Sequence, residues 1–303
     1  MPRTVSPPPS SEHRRRRGRY LAASAALLGL VSAMAVVQTA GPSRSSAPPR
    51  TLSTATWNMC GVREWNCAGT GSRAAKKREL ERLATRFGVE VILLQEACAN
   101  DVAEVRRNLG PSWHTVFHPY TWSDHTGRTG PVRCGTAGSA GRAVLSVYPL
   151  SAVRTVPSRQ PSVGVRRGIL CASIEAQDVR VCAAHLSPPR SDRSDPGREL
   201  RDDQLNALVG AVPERRTVYG GDLNVDPPGK DNLDSWVWPV RPYRVHRECD
   251  QESDKPGPAR ATHVSRHKLD YLFTGLPVLE CQVRDTGVSD HLALLMRVDT
   301  RTS

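Results

Sequence analysis

Hydrophobic and polar positions divide the chain into segments with two periods. Leu52–Asn58 alternates in part and is rich in β-formers, so it predicts an opening strand. Within Arg73–Phe87, residues Leu80, Leu83, Ala84 and Phe87 recur at i, i+3, i+4 and i+7, an amphipathic helix stopped by Gly88. Val89–Gln95 reads as a short buried strand ending at Glu96, and Asp101–Leu109 as a second helix. Trp113–Ala140 is Gly-rich and predicts irregular structure, followed by a strand at Ala143–Tyr148. The segments C-A-S-I and V-R-V-C around Cys171 and Cys182 predict a hairpin joined at Glu175–Asp178. Helical spacing returns at Leu205, Leu208, Val209 and Val212 within Gly197–Val212. Thr217–Gly221 leads into Asp222, residues 226–262 read as long surface loops, and Leu269–Phe273 and Leu292–Val298 close the chain as strands. Helices interleaved with strands and hairpins predict a mixed α/β sandwich, not an alternating barrel. No internal repeat and no composition break interrupts residues 51–303, which predicts one domain there.

Composition narrows the class. Of 303 residues 38% are hydrophobic, which argues against global disorder, a collagen-like repeat and a multi-span membrane protein. The net charge is +12, but residues 1–50 hold eight arginines against one acid, leaving a body of about +5. That mild excess suits a polyanionic substrate without establishing one. Only five of the cationic residues are lysines, a bias that codon usage explains as well as function does.

Arg14–Arg19 followed by the uncharged run Leu21–Val37 and the small-x-small pattern Ala33-Met34-Ala35 reads as an export signal over residues 1–40. An uncleaved anchor is the alternative, because 17 residues sit at the lower limit of a membrane span. Residues 41–50 are Pro/Ser-rich and read as a linker. All eight cysteines follow it, an even number that in an exported chain predicts disulfides. The predicted hairpin sets Cys171 opposite Cys182, and Cys60–Cys67 closes a short loop. Cys98–Cys134 and Cys249–Cys281 follow by elimination. Zinc is disfavoured, since there is no C-x-x-C or paired-His spacing.

Four apolar segments end in polar residues of one kind: Trp57-Asn58, Gln95-Glu96, Ala184-His185 and Gly221-Asp222-Leu223-Asn224. Ser289-Asp290-His291 precedes the last strand. Strand ends are where a sandwich brings together side chains from distant sequence. Carboxylate and amide oxygens suit a hard divalent cation, and two histidines can move protons. Each element alone also reads as a cap, a turn or a surface pair. Ser146 and Ser289 have no evident base partner as nucleophiles. His114, His118, His125, His246, His263 and His267 read as surface or structural, although Thr262-His263 could touch a substrate. Trp236 and Trp238 read first as packing and second as stacking residues, and Arg142, Arg166 and Arg167 as solvated arginines able to meet phosphate.

Taken in order, the segments 55–59, 93–97, 141–149, 184–186, 220–224, 268–273 and 289–291 resemble the endonuclease/exonuclease/phosphatase superfamily of metal-dependent phosphoesterases, over nearly all of residues 52–298. The resemblance implies a four-layer α/β sandwich, two packed mixed β-sheets flanked by helices. It implies in-line attack of water on phosphorus, with Glu96 as the main ligand of Mg²⁺ (Mn²⁺ or Ca²⁺ being the alternatives) and Asn58 and Asp290 close to the same ion or its water shell. Asp222 would orient the water, Asn224 would bond a phosphate oxygen, His291 would be the general base and His185 a donor to phosphate or leaving group. Asp270 would orient one of the two imidazoles. Neighbouring residues on a regular strand point to opposite faces, so Asp290 and His291 can share a site only from a bend before Leu292. The opening motifs are similar to those of deoxyribonucleases and cytolethal distending toxin nucleases, whereas residues 141–149 and 167–168 are as similar to secreted lipid phosphodiesterases. The expected function is a secreted, monomeric nuclease acting on extracellular DNA without an obligate protein partner. A sphingomyelinase-type enzyme acting on phospholipid, a phosphomonoesterase and a silent binding module are the rivals.

Overall fold

A computed structural model describes residues 51–253 and 260–301. The predicted signal at 1–40 and linker at 41–50 lie outside the described residues. In chain order the strands are β1 (Thr51–Asn58), β2 (Val91–Cys98), β3 (His114–Pro119), β4 (Thr121–Ser123), β5 (Thr129–Pro131), β6 (Ala140–Ser146), β7 (Ser151–Val156) and β8 (Gly164–Arg166). They continue with β9 (Gly168–Ile174), β10 (Val179–His185), β11 (Thr217–Asp222), β12 (Arg247–Glu248), β13 (Asp270–Thr274), β14 (Val278–Arg284) and β15 (Ala293–Asp299). The helices are α1 (Arg73–Thr85), α2 (Ala99–Leu109), α3 (Arg201–Gly210) and the single turn α4 (Pro242–Val245).

Two six-stranded mixed sheets form, in the orders β14-β15-β1-β2-β6-β3 and β12-β13-β11-β10-β9-β7, with a small third sheet β5-β4-β8. The layers follow from which side chains each strand face buries. Leu93, Val144 and Leu294 of the first sheet pack with Ala172, Val181 and Leu272 of the second. The opposite face of the first sheet, with Ile92, Leu94 and Leu145, buries Leu80 and Leu83 of α1 and Val102 and Val105 of α2. Beyond the second sheet, Ile169, Cys182 and Tyr219 pack on Leu205 and Leu208 of α3. Each fully buried aliphatic side chain contributes about 1.5–3 kcal/mol. The result is the predicted four-layer α/β sandwich.

Ser72 caps α1 by accepting the Ala75 N–H, and the helix ends at Thr85, two residues before Phe87, as the chain turns out through Gly88 at φ +62°. Residues 197–200 precede α3, because the Glu199 carboxylate takes the N–H groups of Leu200 and Arg201 and starts the helix there. The irregular segment predicted at Trp113–Ala140 instead contains β3, β4 and β5. The edge strand β3 is half-buried along its whole length, and β4 and β5 have three residues each, so none carries a legible alternation. All four predicted disulfides form: Cys60–Cys67, Cys98–Cys134, Cys171–Cys182 and Cys249–Cys281. Cys171 and Cys182 stand directly opposite in the β9–β10 ladder.

Candidate active site

Sheet register does most of the gathering. β10 and β11 run parallel with His185 beside Asp222, and β11 and β13 run antiparallel with Asp222 beside Asp270, so three polar residues end adjacent strands. Gly221 makes this packing close: at φ +135°, a Cβ there would stand 1.9 Å from the Ala184 carbonyl oxygen. In the facing sheet, Asn58 ends β1 opposite Gln95. A bulge between Leu94 and Ala97 turns Glu96 out of the β2 ladder, with its backbone at φ +48°.

Asp222 is the centre. Its Oδ2 accepts the Asn58 side-chain N–H at 3.0 Å and lies 3.4 Å from His185 Nε2 and 3.7 Å from His291 Nε2. His291 Nδ1 is 2.8 Å from Asp270 Oδ2, so the imidazole that Asp270 contacts is that of His291. The predicted bend is present. Gly287–Asp290 is non-strand, and the ligand atoms of Asp290 and His291 lie within 4.8 Å of each other and of His263. Residues 262–264 brace this bend by pairing His263 with His291, while the Thr262 hydroxyl accepts the Asp270 N–H at 2.9 Å. Asn224, at φ +52°, bonds back to Asp222 Oδ1 through its amide N–H and to the Leu186 carbonyl through its side chain.

The cluster is almost dry. His185, Asp222, Asp270 and Asn58 are at most 2% exposed, and solvent reaches it at Asp290 and His263. Burial pushes the Glu96 carboxyl up to about 7, opposed by the charges of Arg167 and His291. Burial likewise raises Asp222 to about 6, opposed by His291. Burial works against a charged His291, yet Asp270 and then Asp222 raise it to about 10, so this ring is an imidazolium at neutral pH. His185 goes the other way: burial, with the charges of Arg167 and His291, holds it neutral. Asp290 stays below the ordinary carboxylate range despite burial, because His263 bonds it.

Glu96 and Asp290 supply anionic oxygens of the kind a hard divalent cation takes, and the buried, disfavoured charge on Glu96 is one such an ion would relieve. Asn58 Oδ1 accepts the Cys60 N–H at 2.9 Å and its side-chain nitrogen donates to Asp222 Oδ2 at 3.0 Å, which fixes the amide between the two sheets' strand ends. Cys60 and Cys67, close to Glu96, are paired with each other and are not ligands. Three further residues join the site. Tyr120 bonds His185 Nδ1, His263 abuts Asp290, and the buried Lys76 ammonium donates to the Cys60 carbonyl and to Thr70 Oγ1. Of these only Thr262-His263 carried a sequence signal, its position just before the Lys268–Phe273 segment.

Residues 55–291 match the sequence model of the Endonuclease/Exonuclease/phosphatase family. The chain belongs to this family. Its members are hydrolases acting on phosphoester bonds, in general with a divalent metal. No curated protein matches the chain in sequence. Among solved structures, an endonuclease/exonuclease/phosphatase from Bacteroides vulgatus is 16% identical with a TM-score of 0.57, covering 83% of this chain and 99% of its own. Humanized D. rerio TDP2 is 15% identical with a TM-score of 0.56, covering 83% of this chain and all of its own. The 3′–5′ exonuclease NExo from Neisseria meningitidis is 14% identical with a TM-score of 0.56, covering 82% of this chain and all of its own. At these identities the likeness shows a shared fold.

Proposed function

We propose that this family member is an exported, Mg²⁺-dependent phosphodiesterase that cleaves DNA. The observation that carries the reading is Asp222, held within 3.0–3.7 Å of Asn58, His185 and His291. Asp222 orients the attacking water and accepts its proton. The charged His291, fixed by Asp270, offers its Nε2–H to a phosphoryl oxygen. A charged ring has no lone pair at Nε2, so the proton-accepting part expected of His291 falls to its neighbour Asp222. Neutral His185, with its Nε2 3.4 Å from Asp222 Oδ2, donates its one ring proton to that carboxylate and holds it in place for the water. Glu96 and Asp290 would hold the cation, which supplies charge stabilisation at the phosphoryl and leaving oxygens.

DNA is favoured over lipid by the body's charge of about +5 and by the family neighbour NExo, a 3′–5′ exonuclease also seen bound to a product DNA hairpin. The test is incubation of the protein with plasmid DNA, sphingomyelin and p-nitrophenyl phosphate, with Mg²⁺ or EDTA. Nicking of plasmid only, arrested by EDTA, is expected. Turnover of sphingomyelin or of the monoester instead would replace the nuclease reading, and no turnover with Mg²⁺, Mn²⁺ or Ca²⁺ would leave a binding module.

A further inference from the structure

On the far side of Tyr120 from His185 the chain builds a cleft of about 640 Å³. Val62, Val132 and Val165 line it, the half-buried indoles of Trp65 and Trp122 face it, and the exposed Arg133 and Arg193 border it. Val62 and Val132 pack with Tyr120 and Ala140 into a small core of their own, on which Trp65, Trp122 and Val165 rest. Tyr120 belongs to that core and also bonds His185 at 2.8 Å, while Trp65 stacks on Tyr120 with ring centres 5.9 Å apart. The small core beneath the cleft therefore reaches the catalytic imidazole through Tyr120. The Arg167 guanidinium lies 4.8 Å over the Trp65 ring and places a cation at the seam.

The Trp122 ring is held in place. Its register partner is Gly130, where a Cβ would stand 3.1 Å from Cε2, Cζ2 and Nε1, so the indole lies directly on bare backbone. Two acids also line the cleft. Asp124 Oδ1 accepts Thr126 N–H, Thr126 Oγ1–H and Arg128 N–H, so the lining sets two carboxylates, Asp124 and Glu64, against the two guanidinium groups of Arg133 and Arg193, with Arg167 adding a cation at the seam. Aromatic walls with bordering guanidinium groups fit a flat ring that carries phosphate, and a quaternary ammonium headgroup, which aromatic faces and carboxylates attract, is the competing ligand the test must include.

We propose that this cleft receives an unpaired nucleobase of the substrate strand, next to the phosphate held at Asp222; the placement rests on the phosphodiesterase reading above. A base must leave its duplex stack to enter, so the cleft selects single strands over duplex. Stacking on one aromatic side chain is worth about 5- to 150-fold in affinity.

The test uses the full chain and two probes, deoxyadenosine 5′-monophosphate and phosphocholine, titrated by calorimetry. Single-stranded oligonucleotides, intact or with an abasic residue beside the scissile phosphate, are compared in parallel by kcat/KM. The wild type is expected to bind the nucleotide more tightly than phosphocholine. Trp122→Ala should weaken that binding at least about fivefold and bring the intact-to-abasic ratio toward one, with Trp122→Phe restoring most of both. Should Trp122→Ala not fold, Val165→Trp fills the cleft from its floor and should abolish nucleotide binding. Tighter binding of phosphocholine, or unchanged nucleotide binding in both Trp122→Ala and Val165→Trp, overturns the proposal. If no DNA is cut with any metal while Trp122→Ala still loses the nucleotide, the catalytic reading falls and the base site stands.

Discussion

The Tyr120 hydroxyl lies 2.8 Å from His185 Nδ1 and 3.2 Å from the Glu96 amide nitrogen. The Tyr120 oxygen accepts the Glu96 N–H, and because Asp222 Oδ2 beside His185 Nε2 is an acceptor, the arrangement that satisfies every group puts the ring proton on Nε2 and turns the Tyr120 proton to Nδ1. His185 Nε2 then carries the ring proton and directs it at Asp222 Oδ2, 3.4 Å away. A tyrosine at no motif position thus selects the tautomer of one histidine and pins the bulge that turns out Glu96.

Tyr120→Phe removes this selection while keeping the ring in its core. The Glu96 N–H loses its acceptor, which costs about 1–3 kcal/mol of stability. kcat on DNA should fall about tenfold or more, with KM shifted much less. Urea denaturation and steady-state kinetics on the same preparation separate the two effects. Wild-type kcat in a folded Phe variant would show that the tautomer does not matter.

His291→Ala and His185→Ala should each lower kcat at least about 100-fold in a folded protein, the usual contribution of a proton-handling or charge-stabilising group. Asp270→Asn should reproduce most of the His291→Ala loss, because an amide neither charges nor orients the ring. Plasmid nicking by the purified variants, with circular dichroism as the folding check, decides it. Near-full activity in either histidine variant removes that residue from the mechanism.

Glu96→Gln separates metal binding from stability. The buried carboxylate is disfavoured as a charge, so the neutral isostere should melt at or above the wild-type temperature in EDTA. Mg²⁺ should raise the wild-type melting temperature and leave that of the variant unmoved, since a ligand stabilises only the state that binds it. Activity should be lost in the variant and in EDTA-treated wild type. An equal Mg²⁺ shift in both proteins would take Glu96 out of the metal site.

Asp192 gives acid sensitivity away from the active site. Its carboxylate accepts Ser162 N–H at 2.9 Å, Val163 N–H at 3.2 Å, Ser194 N–H at 3.1 Å and the Ser194 hydroxyl at 2.7 Å. Burial opposes the charge, but these bonds outweigh it and hold the group below the ordinary carboxylate range. A lowered folded pKa means that the stabilisation is complete above the unfolded value of about 3.9 and is lost as pH falls through the folded one. Asp192→Asn should therefore cost about 1–3 kcal/mol near neutrality, a gap that narrows on acidification between about pH 5 and pH 2. Urea midpoints across that range measure it.

The strand-end motifs were legible because each is local: an apolar run of strand length stops, and a carboxylate, amide or imidazole follows. The β9–β10 hairpin and its Cys171–Cys182 bridge were legible for the same reason, since two-residue periodicity sets both strands in register. The third sheet was not, because strands of three residues carry no period, and β14 was not, because an edge strand with exposed Leu279 and Glu280 has no buried face to pattern. Tyr120 and Lys76 act through a single oxygen or nitrogen, which leaves no spacing to find.

By itself, then, the amino-acid order determined the layers, the cysteine pairing and the set of polar residues able to do phosphoester chemistry. Local period and chain order gave a mixed α/β sandwich. Hairpin and short-loop geometry gave two of the four bridges, with the other two left by elimination. The resemblance to the family implied the four layers and the parts of the polar residues. Tertiary structure alone decided that Asp270 serves His291, that the Asn58 oxygen turns to the Cys60 amide, and that His185 stays neutral while His291 is charged. Those outcomes depend on which groups lose water together and at what distance, and burial and proximity arise only when segments far apart in the chain close on one another.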